Sequence, residues 1–197
     1  MKTCLILDYG VGNVESLSNF LRYQKYNVDY GKSRNEILSA DLLLLPGVGS
    51  FKTAADHISV EMRELIKLRH ELCRPILGIC LGLQILYSGS EEAETCQGIG
   101  IFLGKVERLK DFSRIGWDKI NFDKDTELSG KYFYFNHSYA VPHLVNTDRS
   151  YKSISGGYDS IVVQKKTLGV QFHPEKSQEA GSDFLKWAED RVWSMNA

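Results

Sequence analysis

Three residues in this chain have the types and spacing of an acyl-transfer site: Cys80, His173 and Glu175. Cys80 sits in Gly78-Ile79-Cys80-Leu81-Gly82, after the apolar Pro75-Ile76-Leu77 and before Gln84-Ile85-Leu86-Tyr87. That order reads as strand, sharp turn and helix, with a thiol at the turn. It is the cysteine form of a nucleophile elbow, in which flanking glycines let a strained backbone present a side chain above a sheet. A thiol attacks as its thiolate, and a helix N-terminus favours the anion through its dipole and free N–H groups. The backbone N–H of Leu81 is placed to donate to the oxygen of a tetrahedral intermediate. A second donor must come from another loop. The glycine-rich turn Pro46-Gly47-Val48-Gly49-Ser50-Phe51 follows a neighbouring apolar run and can supply one; each such donor is worth about 10²–10³ in turnover.

Taken alone, Cys80 also reads as a small buried apolar residue between packing glycines, and the Pro46 turn as a plain connector. His173-Pro174-Glu175 shifts that balance. Residues i and i+2 at an extended strand end point the same way. Glu175 can therefore hold the tautomer of the His173 imidazole and stabilise its charged form. Pro174 stiffens the turn and cannot continue a ladder. Together the three residues predict nucleophilic catalysis through a thioester.

The elements that must position them are legible in outline. Thr3-Cys4-Leu5-Ile6-Leu7 reads as a buried strand, followed by the turn Asp8-Tyr9-Gly10-Val11-Gly12-Asn13. Val14, Leu17, Phe20 and Leu21 then recur at helical spacing. Asn27–Tyr30 and Asp41–Leu45 read as strands, Thr53–Leu72 as one helix, and Pro75–Ile79 as the next strand. Strands alternating with helices predict parallel βαβ units whose continuous apolar runs are buried on both faces. After about Gly104 the texture changes to strands joined by short turns: Lys105–Leu109, Lys131–Phe135, Ser160–Gln164 and Gly169–Phe172. Gln178–Trp193 closes with a helix carrying Phe184, Leu185, Ala188 and Val192 at core spacing. The expectation is one α/β domain over 1–197, three-layered, with a mostly parallel central sheet and additional antiparallel strands.

Composition bounds the function. At 197 residues, with 43% hydrophobic and 25% charged residues, the chain fits one globular domain with a substantial core. A formal net charge of −1 favours neither nucleic acid nor an anionic membrane surface. The apolar run at the N-terminus is too short for a signal peptide, and Pro75–Tyr87 falls short of the ~20 residues that span a bilayer. A cytoplasmic address is expected. Four cysteines without short paired spacing argue against a disulfide framework and a zinc site, so Cys4, Cys73 and Cys96 read as bystanders. Gly10-Val11-Gly12 has Glu15 where a dinucleotide loop needs its third glycine, so no cofactor is expected. His57 and His70 read as surface residues, His143 has no assignment, and His137 could line a pocket or pack among its aromatic neighbours.

At these residues the chain resembles the class I (triad) glutamine amidotransferases, nearly end to end. The markers are Asp8–Asn13, Pro46-Gly47-Val48-Gly49, Leu77–Gln84, Gly116-Trp117, His137-Ser138-Tyr139 and Gln171–Ser177. The opening turn, Gly116-Trp117, His137-Ser138-Tyr139 and Lys176-Ser177 look like the branch of glutaminase subunits that serve a (β/α)₈-barrel synthase of histidine biosynthesis. The resemblance implies a flavodoxin-like fold and hydrolysis of L-glutamine to glutamate and ammonia. Cys80 would form a γ-glutamyl thioester, with His173 as base and then acid and Glu175 orienting it. It further implies Leu81, Val48 and Gly49 in the oxyanion hole, and Gly47, Gln84, Ser138 and Tyr139 on the substrate. Asn13, Trp117, Tyr139 and Lys176 would face the barrel partner of a heterodimer. Glutaminase activity would be weak alone and stimulated when the partner holds its ligand, by a shift in population. One departure stands out. Members of that branch usually carry Pro-His-Met before Gly-Trp-Asn, where this chain has Ser113-Arg114-Ile115 and then Asp118. A paralogue supplying ammonia for surface-sugar amidination therefore competes for the pathway. A cysteine peptidase-like hydrolase on the same scaffold is the other enzyme class.

Overall fold

A computed structural model describes residues 1–110, 113–122, 127–142, 147–153 and 157–194; His143 lies outside the described residues. The first half alternates strand and helix: β1 (Thr3–Leu7), α1 (Val14–Tyr23), β2 (Asn27–Gly31), α2 (Arg34–Ser39), β3 (Leu42–Leu45), α3 (Phe51–His57), α4 (Val60–Glu71), β4 (Ile76–Ile79) and α5 (Leu81–Ile85). The second half is mostly strands: β5 (Tyr87–Ser90), β6 (Phe102–Arg108), β7 (Arg114–Asn121), β8 (Tyr132–His137), β9 (Tyr139–Ala140), β10 (Arg149–Ser153), β11 (Asp159–Gln164) and β12 (Thr167–Val170). A 3₁₀ turn at Pro174–Lys176 leads to α6 (Gln178–Ala188), which ends in a π-helical turn, Glu189–Trp193.

Nine strands form one sheet in the order β2-β1-β3-β4-β12-β11-β10-β7-β8. Its first five members pair in parallel; from β12 to β8 every pairing is antiparallel. β5, β6 and β9 form a small separate sheet. In β1 and β3 neighbouring residues point to opposite faces. Cys4, Ile6, Leu42 and Leu44 pack toward α1 and α6, while Leu5, Leu7, Leu43 and Leu45 pack toward the layer of α2 to α5. Both faces are covered, so these runs must be apolar throughout. Each fully buried Leu or Ile contributes about 1.5–3 kcal/mol.

The α/β, three-layer expectation matches this architecture, with corrections in detail. Thr53–Leu72 is not one helix. Ile58 and Ser59 are extended, and the Ser59 side chain accepts from Met62 N at 3.1 Å, starting α4 afresh as an N-cap. α2 was not read from the sequence, although Ser33 and Glu36 form a complete capping box. His70 is not a surface residue: it is buried, with Nδ1 2.7 Å from Thr167 Oγ1. Beside it Arg69 is fully buried and donates to the carbonyls of Ile37, Ala40, Asp41 and Pro75 at 2.8–3.2 Å. One guanidinium thus ties α4 to the ends of α2 and the starts of β3 and β4. His57 is exposed, as expected.

Candidate active site

The elbow forms where β4 meets α5. Cys80 has φ 51° and ψ −104°, a left-handed conformation that a non-glycine residue holds only when its surroundings impose it. They do so by close backbone approach. A Cβ on Gly82 would lie 2.0 Å from the Leu45 carbonyl oxygen, so only glycine lets α5 begin against the end of β3. The Cys80 N–H donates to Val170 O at 2.7 Å, tying the elbow to β12. Leu81, the first residue of α5, has an N–H with no intrahelical acceptor.

Gly47 lies against that amide. A Cβ there would sit 1.8 Å from Ile79 O and 2.5 Å from Leu81 N, so only glycine lets this turn close on the backbone of the elbow. Gly49 adopts φ +127°, and Val48 between them is partly exposed. The opening turn supports this loop. The buried Tyr9 hydroxyl donates to the Pro46 carbonyl, and Gly12 packs on the Pro46 ring. Val11 covers the open side of Gly49. The turn Asp8–Asn13, noticed in the sequence for its glycines, is thus a buttress of the candidate oxyanion loop. Asn13 caps α1 by accepting from Ser16 N.

His173 follows β12 and is 2% exposed. Its Nδ1 lies 2.9 Å from Glu175 Oε1, with both side chains about 3% exposed. Its own N–H donates to Tyr134 O, while Ser177 Oγ donates to its carbonyl and accepts from Tyr134 N. The imidazole is therefore clamped at both ring and backbone. Burial alone would lower its pKa, but hydrogen bonds to the Cys80 sulfur and to Glu175 outweigh it and raise it to about 9. At neutral pH the ring carries its proton beside the sulfur.

A cleft of about 280 Å³ runs past Cys80. Its walls are Gly47-Val48-Gly49, Leu81 and Gln84 of α5, and the segment Asn136–Tyr139. The structure thus brings the nucleophile, oxyanion and substrate residues named from the sequence around one space. Gln84 is oriented by the protein: its Nε2 donates to Tyr139 O at 2.8 Å and to Gln171 Oε1 at 3.3 Å. Its donors are spent internally, so its carbonyl oxygen is the group left to meet a substrate. His137 both lines the cleft and packs, with its ring 5.9 Å from Phe135 and Nδ1 2.9 Å from Tyr139 O. Burial pushes its pKa down to about 4, so it is neutral. Glu92 also lines the cleft; its carboxylate accepts from Phe51 N at 3.0 Å. Spacing gave no sign of Glu92, because the fold brings β5 back to the start of α3.

The expected partner-facing residues divide. Trp117 and Lys176 converge on the Tyr134 ring, at 5.8 Å and 5.7 Å. Tyr139 belongs to the cleft wall, and Asn13 to the opening turn. On β7 the usual patterning is inverted. Ile115 is 67% exposed and Trp117 49%, whereas Arg114 and Asp118 form an ion pair with only 18% and 17% of their side chains exposed. The Arg114 guanidinium lies 4.3 Å over the Phe135 ring. Among the described residues no group of three or more His, Cys, Asp or Glu could hold a metal ion. Cys4, Cys73 and Cys96 carry free thiols.

The glutamine amidotransferase class-I family model matches residues 5–188. Imidazole glycerol phosphate synthase subunit HisH of Bacillus cereus (strain B4264) is 35% identical over 195 residues, covering 92% of this chain and 91% of that protein. The chloroplastic imidazole glycerol phosphate synthase hisHF of Arabidopsis thaliana is 38% identical over 194 residues, covering 92% of this chain and 33% of that longer protein. Among solved structures, that of PurLQS from Thermotoga maritima superposes with a TM-score of 0.78 at 16% identity, covering 96% of this chain and 99% of that one.

Proposed function

This chain belongs to the class I glutamine amidotransferase family, and we propose that it is the glutaminase subunit of an imidazole glycerol phosphate synthase in histidine biosynthesis. The observation that carries the chemistry is the buried Cys80–His173–Glu175 arrangement at the mouth of a small cleft. The relatives that share its full length carry the pathway.

The Cys80 thiolate attacks the side-chain amide carbon of glutamine, and the carbonyl pair moves onto oxygen. The N–H of Leu81 and the Val48-Gly49 turn hold that oxyanion. Collapse breaks the C–N bond, and the nitrogen leaves as ammonia with the proton given by His173. A water then loses a proton to His173 and attacks the thioester; the C–S bond breaks, releasing glutamate and restoring the thiolate. Glu175 holds the imidazole in register through both steps. Gln84, Gly47, Ser138 and Tyr139 surround the substrate, and Glu92 complements its α-ammonium. At about 280 Å³ the cleft falls just below the ~300–1,000 Å³ of typical ligand pockets, which suits one amino acid and leaves no groove for a peptide.

The exposed Ile115, Trp117 and Tyr132 on the outer face of β7 and β8 support a protein partner there, a (β/α)₈-barrel synthase subunit that takes the ammonia. Trp117 and Lys176 would meet it at Tyr134, Asn13 at the opening turn and Tyr139 at the cleft wall. Such a biosynthetic subunit works in the cytoplasm, and no described helix is long and apolar enough to cross a membrane. Glutamate release should be measured for the chain alone and with a histidine-pathway barrel subunit holding its nucleotide substrate. Strong stimulation is the expected result. Cys80-dependent turnover that the barrel does not stimulate would overturn the pathway and leave the chemistry.

A further inference from the structure

Gln171 lies just beyond the end of β12, two residues before His173, and is 1% exposed. Its side chain reaches the reacting sulfur: Nε2 is 3.6 Å from Cys80 Sγ. The chemistry of its neighbours fixes which end of the amide points there. The Tyr139 carbonyl can only accept, so the nitrogen of Gln84 must face it, at 2.8 Å. That same nitrogen lies 3.3 Å from the Gln171 side chain, so the atom it meets is the Gln171 oxygen. The Gln171 nitrogen is thereby directed at the sulfur. Anchored by the Tyr139 carbonyl, Gln84 donates to Gln171 and Gln171 donates to the Cys80 sulfur.

The sulfur has one partner of the opposite kind. The Asn136 carbonyl oxygen is 3.7 Å away and can only accept, so it suits a thiol hydrogen and not a thiolate. Gln171 and protonated His173 suit the thiolate. The surroundings of Sγ thus set two donors against one acceptor.

We propose that Gln171 is a catalytic residue that donates a hydrogen bond to the Cys80 sulfur and raises the thiolate fraction, with Gln84 locking its amide in the donating orientation. This rests on Cys80 being the nucleophile of the proposed glutaminase. No atoms are exchanged with Gln171 during turnover; its N–H hydrogen bond is strongest to the anion and weakens as the C–S bond forms. Gln84 therefore acts twice, on the substrate through its oxygen and on the nucleophile through its nitrogen.

The test is the pH dependence of Cys80 alkylation by iodoacetamide, read on the Cys80 peptide by mass spectrometry so that Cys73 and Cys96 do not interfere. It needs no glutamine. Gln171→Met keeps the length and removes the donor. The midpoint of alkylation should move up by about one to two pH units, the range for a hydrogen bond to a charged group. Gln84→Met, a second variant should Gln171→Met not fold, should move it in the same direction by less. A midpoint unchanged in both folded variants, even with kcat reduced, would overturn the proposal and leave Gln171 a packing residue. If instead the native Cys80 peptide alkylates no faster than Cys73, the nucleophile assignment itself fails.

Discussion

The sheet has two unlike halves, and the candidate site lies on the seam between them. In the parallel half, β3 and β4 are buried end to end and β1 from Cys4 onward, with apolar residues on both faces. In the antiparallel extension, β8 alternates buried Phe133 and Phe135 with outward Tyr132 and Tyr134, and β7 turns Ile115 and Trp117 outward. The parallel half supplies what must not move: the Cys80 elbow and the Gly47–Gly49 turn. The extension supplies the face around Trp117 and leads through Ser138 into Tyr139 of the small sheet. β12, parallel to β4 and antiparallel to β11, belongs to both and delivers Gln171 and His173. The proposed chemistry thus sits on the rigid side of the seam and recognition on the other.

Substitutions that break the rigid half should cost most. Cys80→Ala should lower glutamine hydrolysis by about 10⁴-fold or more while ammonium still supports the partner, as removal of a triad nucleophile predicts. Gly47→Ala should lower kcat by about 10²–10³, because the added methyl collides with the elbow backbone and pushes the oxyanion turn away from Leu81 N. Arg69→Met should destabilise by about 3 kcal/mol in urea titration, since several buried carbonyls lose a charged donor.

The seam has a pH signature. His173 has a folded pKa raised to about 9 from an ordinary value near 6.5. Its pairing therefore contributes fully below pH 6.5 and is lost as pH rises through 9. Urea midpoints measured at pH 6 and pH 9.5 should fall with rising pH in the native chain, and His173→Gln should flatten that part of the difference. The smallest effect on the isolated chain belongs to the extension. Trp117→Ala should leave Tm within a few degrees, since the ring is half exposed, yet raise Kd for the barrel partner about 10- to 100-fold.

The same division governs what could be read from the sequence. The apolar runs of β1, β3 and β4 announce buried parallel strands, and the glycines around Cys80 announce an elbow. His173 and Glu175 are legible as a local pair, though a 3₁₀ turn starting at Pro174, and not an extended strand end, brings the carboxylate to the ring. β7 is not, because Gly116 at φ +137° interrupts it and its inward residues are an ion pair. Glu92 and Gln171 carry no local signal either: each acquires its contacts from residues more than forty positions away, Phe51 for one and Cys80 for the other. The break at Ser59 shows a local rule overlooked, since a serine three residues before an amide it can cap is a helix start.

The central claim is that Cys80 attacks the side-chain amide carbon of a bound glutamine. The most direct test is inactivation by a glutamine analogue carrying a γ-diazoketone in place of its amide, with peptide mapping of the adduct. The account predicts one label per chain, on Cys80, with loss of glutaminase activity and protection by glutamine. Full activity after labelling, or a label on Cys73 or Cys96 that accompanies inactivation, would contradict it.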